Sequence, residues 1–124
     1  MSKVEVKKRR PFARGRAVRR LPGEMNKTEE RYATDLAART DINYVWFDEW
    51  TFKLAKDTRY TPDFIVLLSD GTLEAHEVKG FMEDDAWVKL KVFAEKFPLR
   101  TFLAKAKAKR DGGGWDIKEV GPKE

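Results

Sequence analysis

The chain contains no cysteine and a single histidine, His76. Disulfides and thiolate-bound zinc or iron are therefore excluded, and serine triads, cysteine proteases and histidine-rich zinc hydrolases lack their parts. There is no Gly-rich phosphate loop of the Walker type. Apolar runs are short: none approaches the length of a membrane span, and the N-terminus lacks the apolar block of a signal peptide. A soluble cytoplasmic protein with no membrane partner is the expectation. Acidic residues are scarce in one place only. Among residues 1–20, nine Lys or Arg stand against Glu5 alone, a local charge of +8 in a chain whose net charge is +5, which leaves −3 for the rest.

At 124 residues and 14.4 kDa the chain is long enough for one domain with a real core and too short for two. Pro11, Gly15, Pro22 and Gly23 interrupt the basic stretch, which has no apolar periodicity. Residues 1–24 therefore read as a flexible basic arm, and residues 25–124 as the folded domain. Arg9, Arg10, Arg14, Arg16, Arg19 and Arg20 are the candidate contacts to a polyanion. Each phosphate they neutralise would release counterions, adding affinity that is sequence-blind and salt-sensitive. A solvated tail that aids solubility is the plainer reading.

The chain is organised around residues 59–80, Arg-Tyr-Thr-Pro-Asp-Phe-Ile-Val-Leu-Leu-Ser-Asp-Gly-Thr-Leu-Glu-Ala-His-Glu-Val-Lys-Gly. An apolar, β-branched run (64–68), turn chemistry at Ser69-Asp70-Gly71-Thr72 and a second extended run (73–79) predict a β-hairpin. Strand alternation places Asp63 with Ile65 and Leu67, and Glu77 and Lys79 with Leu73 and Ala75. The opposite face of the first strand, Phe64, Val66 and Leu68, is apolar too, so an interior strand covered on both sides is expected. Charges in that company call for a reason.

Asp63 at the start of one strand and Glu77 at the end of its partner converge at one edge of the sheet. Two carboxylates and a backbone carbonyl such as that of Val78 suit a small hard cation, magnesium above all with manganese able to substitute. The Lys79 ammonium can steady an attacking water or the charge developing on a phosphate, and partial burial is expected to lower its pKa. His76 lies on the other face with Glu74 and Val78, away from this chemistry.

Pro62-Asp63 followed by Glu77-Val78-Lys79 resembles the signature of the PD-(D/E)XK nuclease superfamily, in the strand, turn, strand and helix context that the superfamily requires. Asn26-Lys-Thr-Glu29, Tyr60-Thr-Pro-Asp-Phe64, Glu77-Val-Lys-Gly80 and Glu83-Asp-Asp-Ala86 extend the likeness, over about residues 25–104, to a family of small phage-encoded proteins of this type with unassigned function. The resemblance implies an α/β fold with a restriction-endonuclease-like core, a mixed central sheet flanked by helices. It also implies a magnesium-dependent endodeoxyribonuclease acting in phage DNA recombination or processing, in the bacterial cytoplasm, that cleaves DNA to leave a 5′-phosphate. Branched or junction DNA is one subclass of substrate, and a resolvase of that kind would be a two-fold homodimer. In these roles Asp63 and Glu77 hold the metal with Val78, and Lys79 positions or deprotonates water. The extra helix acid of many relatives is assigned to Glu29, with Glu30 as the rival.

The surrounding segments supply the scaffold. Asn26 and Glu29 form a capping box for a helix reaching about Arg39, with Tyr32, Ala33 and Leu36 on its inner stripe; capping alone would also place Glu29 there. Residues 43–54 are aromatic and β-branched and make one strand or two, with Trp46 and Trp50 read as core. Asp57-Thr58 is read as a turn. A helix from Asp84 or Asp85 to Pro98 buries Ala86, Leu90, Phe93, Ala94 and Phe97 and carries Lys89, a candidate phosphate contact or a solvated flank. The acids Glu83-Asp84-Asp85 suit its positive end. Strands at 101–104 and 115–120 flank a basic run, Lys105, Lys107, Lys109 and Arg110, readable as a phosphate track or as lysines guarding a sheet edge. The predicted order is thus α-β-β-β-α-β-β. The rival classes are a non-catalytic nucleic-acid-binding protein and a module that binds a host factor.

Overall fold

In a computed structural model, the described residues are 4–6, 12–13, 25–79 and 84–121, with side chains described over 25–79 and 87–121. They form β1 (Val4–Val6), β2 (Phe12–Ala13), α1 (Lys27–Ala38), β3 (Ile42–Phe47), β4 (Trp50–Ala55), β5 (Thr58–Tyr60), β6 (Phe64–Leu68), β7 (Leu73–Lys79), α2 (Asp84–Lys96), β8 (Arg100–Ala106) and β9 (Trp115–Val120). The central sheet runs β2-β3-β6-β7-β8-β9, five full strands with the two-residue β2 at one margin; a smaller sheet runs β1-β4-β5. All pairings are antiparallel except β7 with β8, which α2 joins as a parallel crossover. The architecture is a mixed α/β fold with two helices.

The hairpin stands where its residues predict. Leu68 N–H donates to Thr72 O, and Asp70 Oδ1 accepts from Thr72 N–H at 2.9 Å, while Gly71 adopts φ 90°, a conformation that side chains resist. Phe64, Ile65 and Val66 of β6 are all buried, because β3 and β7 flank the strand and apolar layers cover both faces.

One layer packs α1 against the sheet through Tyr32, Ala33 and Leu36, meeting Val45, Phe47, Phe64, Val66, Val78 and Ala104. The other packs α2 and the β4–β5 hairpin through Leu90, Phe93, Ala94 and Phe97, meeting Phe52, Leu54, Tyr60, Ile65, Ala75 and Leu103. Each fully buried Phe or Leu contributes about 1.5–3 kcal/mol of apolar transfer. Lys96 Nζ donates to Leu54 O at 2.7 Å and ties the end of α2 to β4. Trp46 and Trp50 lean on this second layer half-buried, the Trp46 ring 5.3 Å from that of Trp50.

The order differs from expectation in two respects: β1 and β2 precede α1, and the stretch between the helices holds more strands. Five strands, not three, separate the helices: residues 43–54 divide into β3 and β4, and Thr58 opens β5 instead of closing a turn. The reversal falls at Lys56-Asp57, where Asp57 takes φ 63°, a left-handed conformation that aspartate tolerates. Of the arm, only β1 and β2 are described, paired with β4 and β3. Arg9, Arg10, Arg14, Arg16, Arg19 and Arg20 lie outside the described residues, as do Glu83 and the side chains of Asp84, Asp85 and Ala86.

Candidate active site

The β6–β7 ladder ends at Phe64 opposite His76, one step short of the site. Beyond it the Asp63 side chain takes the place of a strand partner, Oδ2 accepting from Val78 N–H at 2.8 Å. A strand residue projects its N–H and C=O to the same edge, so the Val78 carbonyl also faces Asp63. Pro62 is fully buried and presets the backbone before Asp63, whose carbonyl accepts from Asp48 N–H at 2.9 Å. The β3–β4 turn is thereby stitched to the start of β6.

Glu77 is buried, 5% exposed, and both its oxygens are engaged. Tyr60 Oη donates to Oε1 at 2.5 Å and Lys79 Nζ stands 3.1 Å from Oε2. Tyr60 reaches it from the smaller sheet, so Glu77 is gripped from two sheets at once. Burial and the neighbouring Glu77 charge push the Tyr60 phenol well above its ordinary value, which keeps it a donor.

The electrostatics follow from crowding acids in a half-dry place. Burial, then the Glu77 charge, push Asp63 well above the usual carboxylate range, with Glu29 adding to them and the Val78 N–H and Lys79 opposing. Glu29 is raised by its own burial and by Glu77 and Asp48, against the lowering effect of its hydrogen bond to Asn26 N–H. Lys79 departs from expectation. Partial burial does pull it down, but Glu77, Asp63 and Glu29 outweigh that pull and raise it above an ordinary lysine. It is held as an ammonium.

Asp63, Glu77 and Lys79 thus converge, and Glu29 lies close enough to sense the charge of all three. Glu29 serves the helix at the same time, with Oε1 accepting from Asn26 N–H at 3.0 Å and its own N–H donating to Asn26 Oδ1 at 2.8 Å. Among the described residues no three His, Asp or Glu side chains gather into a ready-made cage for a metal. The donor set is a carboxylate pair with a carbonyl on the same edge, and its mutual repulsion is of the kind that a hard divalent cation relieves. Lys89 is exposed on α2.

Two site residues escape sequence reasoning. Tyr60 stands three residues before Asp63, but its hydroxyl matters only because β5 folds over the central sheet. Asp48, at φ 54°, enters through its backbone and its charge on Glu29. On the opposite face of β7, His76 forms a separate buried chain: Nδ1 pairs with Tyr32 Oη at 2.5 Å and Nε2 with Glu74 Oε1 at 3.0 Å.

Residues 27–110 match the family described as "Protein of unknown function (DUF1064)", and the chain belongs to that family. Neither the curated proteins nor the solved structures provide a match.

Proposed function

We propose that the protein is a metal-dependent endonuclease that hydrolyses DNA phosphodiester bonds on a restriction-endonuclease-like core. The observation that carries this reading is the convergence of Asp63, Glu77 and Lys79 at one sheet edge, in the order and context of the PD-(D/E)XK signature. Buried like charges destabilise a fold unless a cation or hydrogen bonds offset them, and Asp63 bears that cost in a pKa pushed far from its ordinary value.

Asp63 and Glu77, with the Val78 carbonyl, would hold magnesium or manganese, which supplies Lewis acidity toward a phosphate oxygen and a more acidic bound water. The chain's own groups divide the remaining work. Tyr60 fixes the Glu77 carboxylate so that it does not rotate when Lys79 changes partner. Lys79, kept cationic, orients a water and offsets the charge that grows on the phosphoryl oxygens; its raised pKa favours that role over proton abstraction. Glu29, pushed up and facing the same edge, accepts a proton or orients the attacking water. Branched or junction DNA is the substrate subclass that the resemblance suggests. Cleavage of labelled duplex, single-stranded, flap and four-way-junction DNA, with magnesium or EDTA, tests the reading.

A further inference from the structure

We infer that the loop joining β8 to β9 is a second, metal-independent contact to the DNA backbone, set beside the acidic site by strand register; the choice of DNA as partner rests on the proposed nuclease reading. In the parallel β7–β8 pair, Glu77 lies opposite Leu103, Val78 opposite Ala104 and Lys79 opposite Lys105. Register partners share a face, so Lys105 stands on the face of Glu77 and Lys79, about 4.8 Å away at the backbone. The carboxyl ends of both strands leave the sheet at the same edge, and that of β8 leads directly into Lys107, Lys109 and Arg110.

All four cations are exposed, and among the described residues none forms an ion pair. Other surface arginines are matched, Arg39 with Asp41 at 2.7 Å and Arg100 with Glu119 at 3.0 Å. Asp116 is the acidic register neighbour of Lys105 on β9, and Asp111 sits within the loop. Edge protection does not account for the cations. β8 is an interior strand between β7 and β9, and the margin of the sheet belongs to β9. The loop then closes through Gly112, Gly113 and Gly114 at φ 96°, 65° and 74°, so its tip carries no side chains that would hold a broad, flat polyanion away.

The same face continues past β9. Lys118 lies opposite Leu103, and its ammonium sits 5.6 Å from the centre of the Trp87 ring, which Lys91 approaches from α2 at 5.7 Å. A strand of phosphates laid along the carboxyl ends of β7 and β8 meets Lys79 and Lys105 first and the loop cations next.

The test is binding of labelled duplex and four-way-junction DNA in EDTA, with salt titrated from low to moderate, where cleavage plays no part. The full chain is compared with Lys105→Gln/Lys107→Gln and with Lys53→Gln/Lys56→Gln, which removes the same charge from two exposed positions of the β4–β5 hairpin. The loop pair is expected to weaken binding at least tenfold and to flatten the slope of log affinity against log salt by about two, at about 0.9 per lost phosphate contact. Lys105→Arg/Lys107→Arg should restore both. A loop pair indistinguishable from the control pair overturns the inference, as does a wild-type chain that binds none of these DNAs. Because EDTA silences hydrolysis, loss of the nuclease reading leaves a loop-dependent affinity standing, and a cleaving enzyme with a loop-independent affinity removes this inference alone.

Discussion

Tyr60 and Glu77 belong to different sheets and meet through a hydrogen bond of 2.5 Å that fixes one oxygen of a buried carboxylate. The smaller sheet therefore has a role beyond covering apolar surface: it sets the orientation of the group that the proposed chemistry depends on. Tyr60→Phe keeps the ring packed on Phe93 and deletes only the donor. It should cost about 1–3 kcal/mol, the penalty of leaving a buried acceptor unmatched. Urea denaturation measures it, and a variant as stable as wild type would mean that the hydroxyl does not hold Glu77.

The acids of the site make stability depend on pH with a definite sign. Asp63 has a folded-state pKa well above its ordinary value of 3.8 because of burial and the Glu77 charge, and Glu29 is shifted the same way. The folded chain therefore binds these protons more tightly than the unfolded chain. Their contribution is complete below the ordinary carboxylate range and is lost as pH rises through the raised values. Asp63→Asn, which can still accept from Val78 N–H, should raise the Tm at neutral pH and flatten its fall above pH about 4. Magnesium added to wild type should flatten the curve in the same way, and thermal melts across pH, with and without magnesium, decide the point.

Tyr32, His76 and Glu74 bind α1 to β7 from the face away from the site. Tyr32→Phe leaves His76 Nδ1 without its partner in a buried place and should lower stability by about 1–3 kcal/mol. Because α1 carries Glu29, the same change should weaken magnesium-dependent cleavage more than Val45→Ala, a change on β3 in the same apolar layer, at matched stability. Equal losses would reduce the chain to a structural tie.

Replacing Arg9, Arg10, Arg14, Arg16, Arg19 and Arg20 with Gln retains the β1 and β2 residues and removes six charges. Non-specific affinity for DNA should fall, with a shallower salt slope, by at most about five units for B-DNA. A slope equal to that of wild type would mean that these arginines touch no phosphate.

Much of this arrangement is legible in the chain because local and long-range signals agree. Asn26 and Glu29 mark the start of α1, Gly71 marks the turn, and the alternation from Asp63 to Lys79 puts the charges at one edge. The β4–β5 hairpin is not legible, because Phe52 and Tyr60 declare strands without declaring which sheet they join; pairing is a tertiary choice made by the second apolar layer. The Lys79 pKa escapes for a related reason. Its burial is readable from strand position, but whether Glu77 on its own strand, Asp63 just before β6 and Glu29 on α1 outweigh that burial depends on distances that only the fold sets.

The most direct test of the central claim is cleavage of labelled duplex, flap and four-way-junction DNA by wild type, Glu77→Ala and Lys79→Ala, each with magnesium and with EDTA. Wild type should give magnesium-dependent products, and either variant should lose at least about a hundredfold, the scale of removing one preorganised charge from such a site. If wild type cuts nothing while both variants bind DNA as it does, the site is not a nuclease centre.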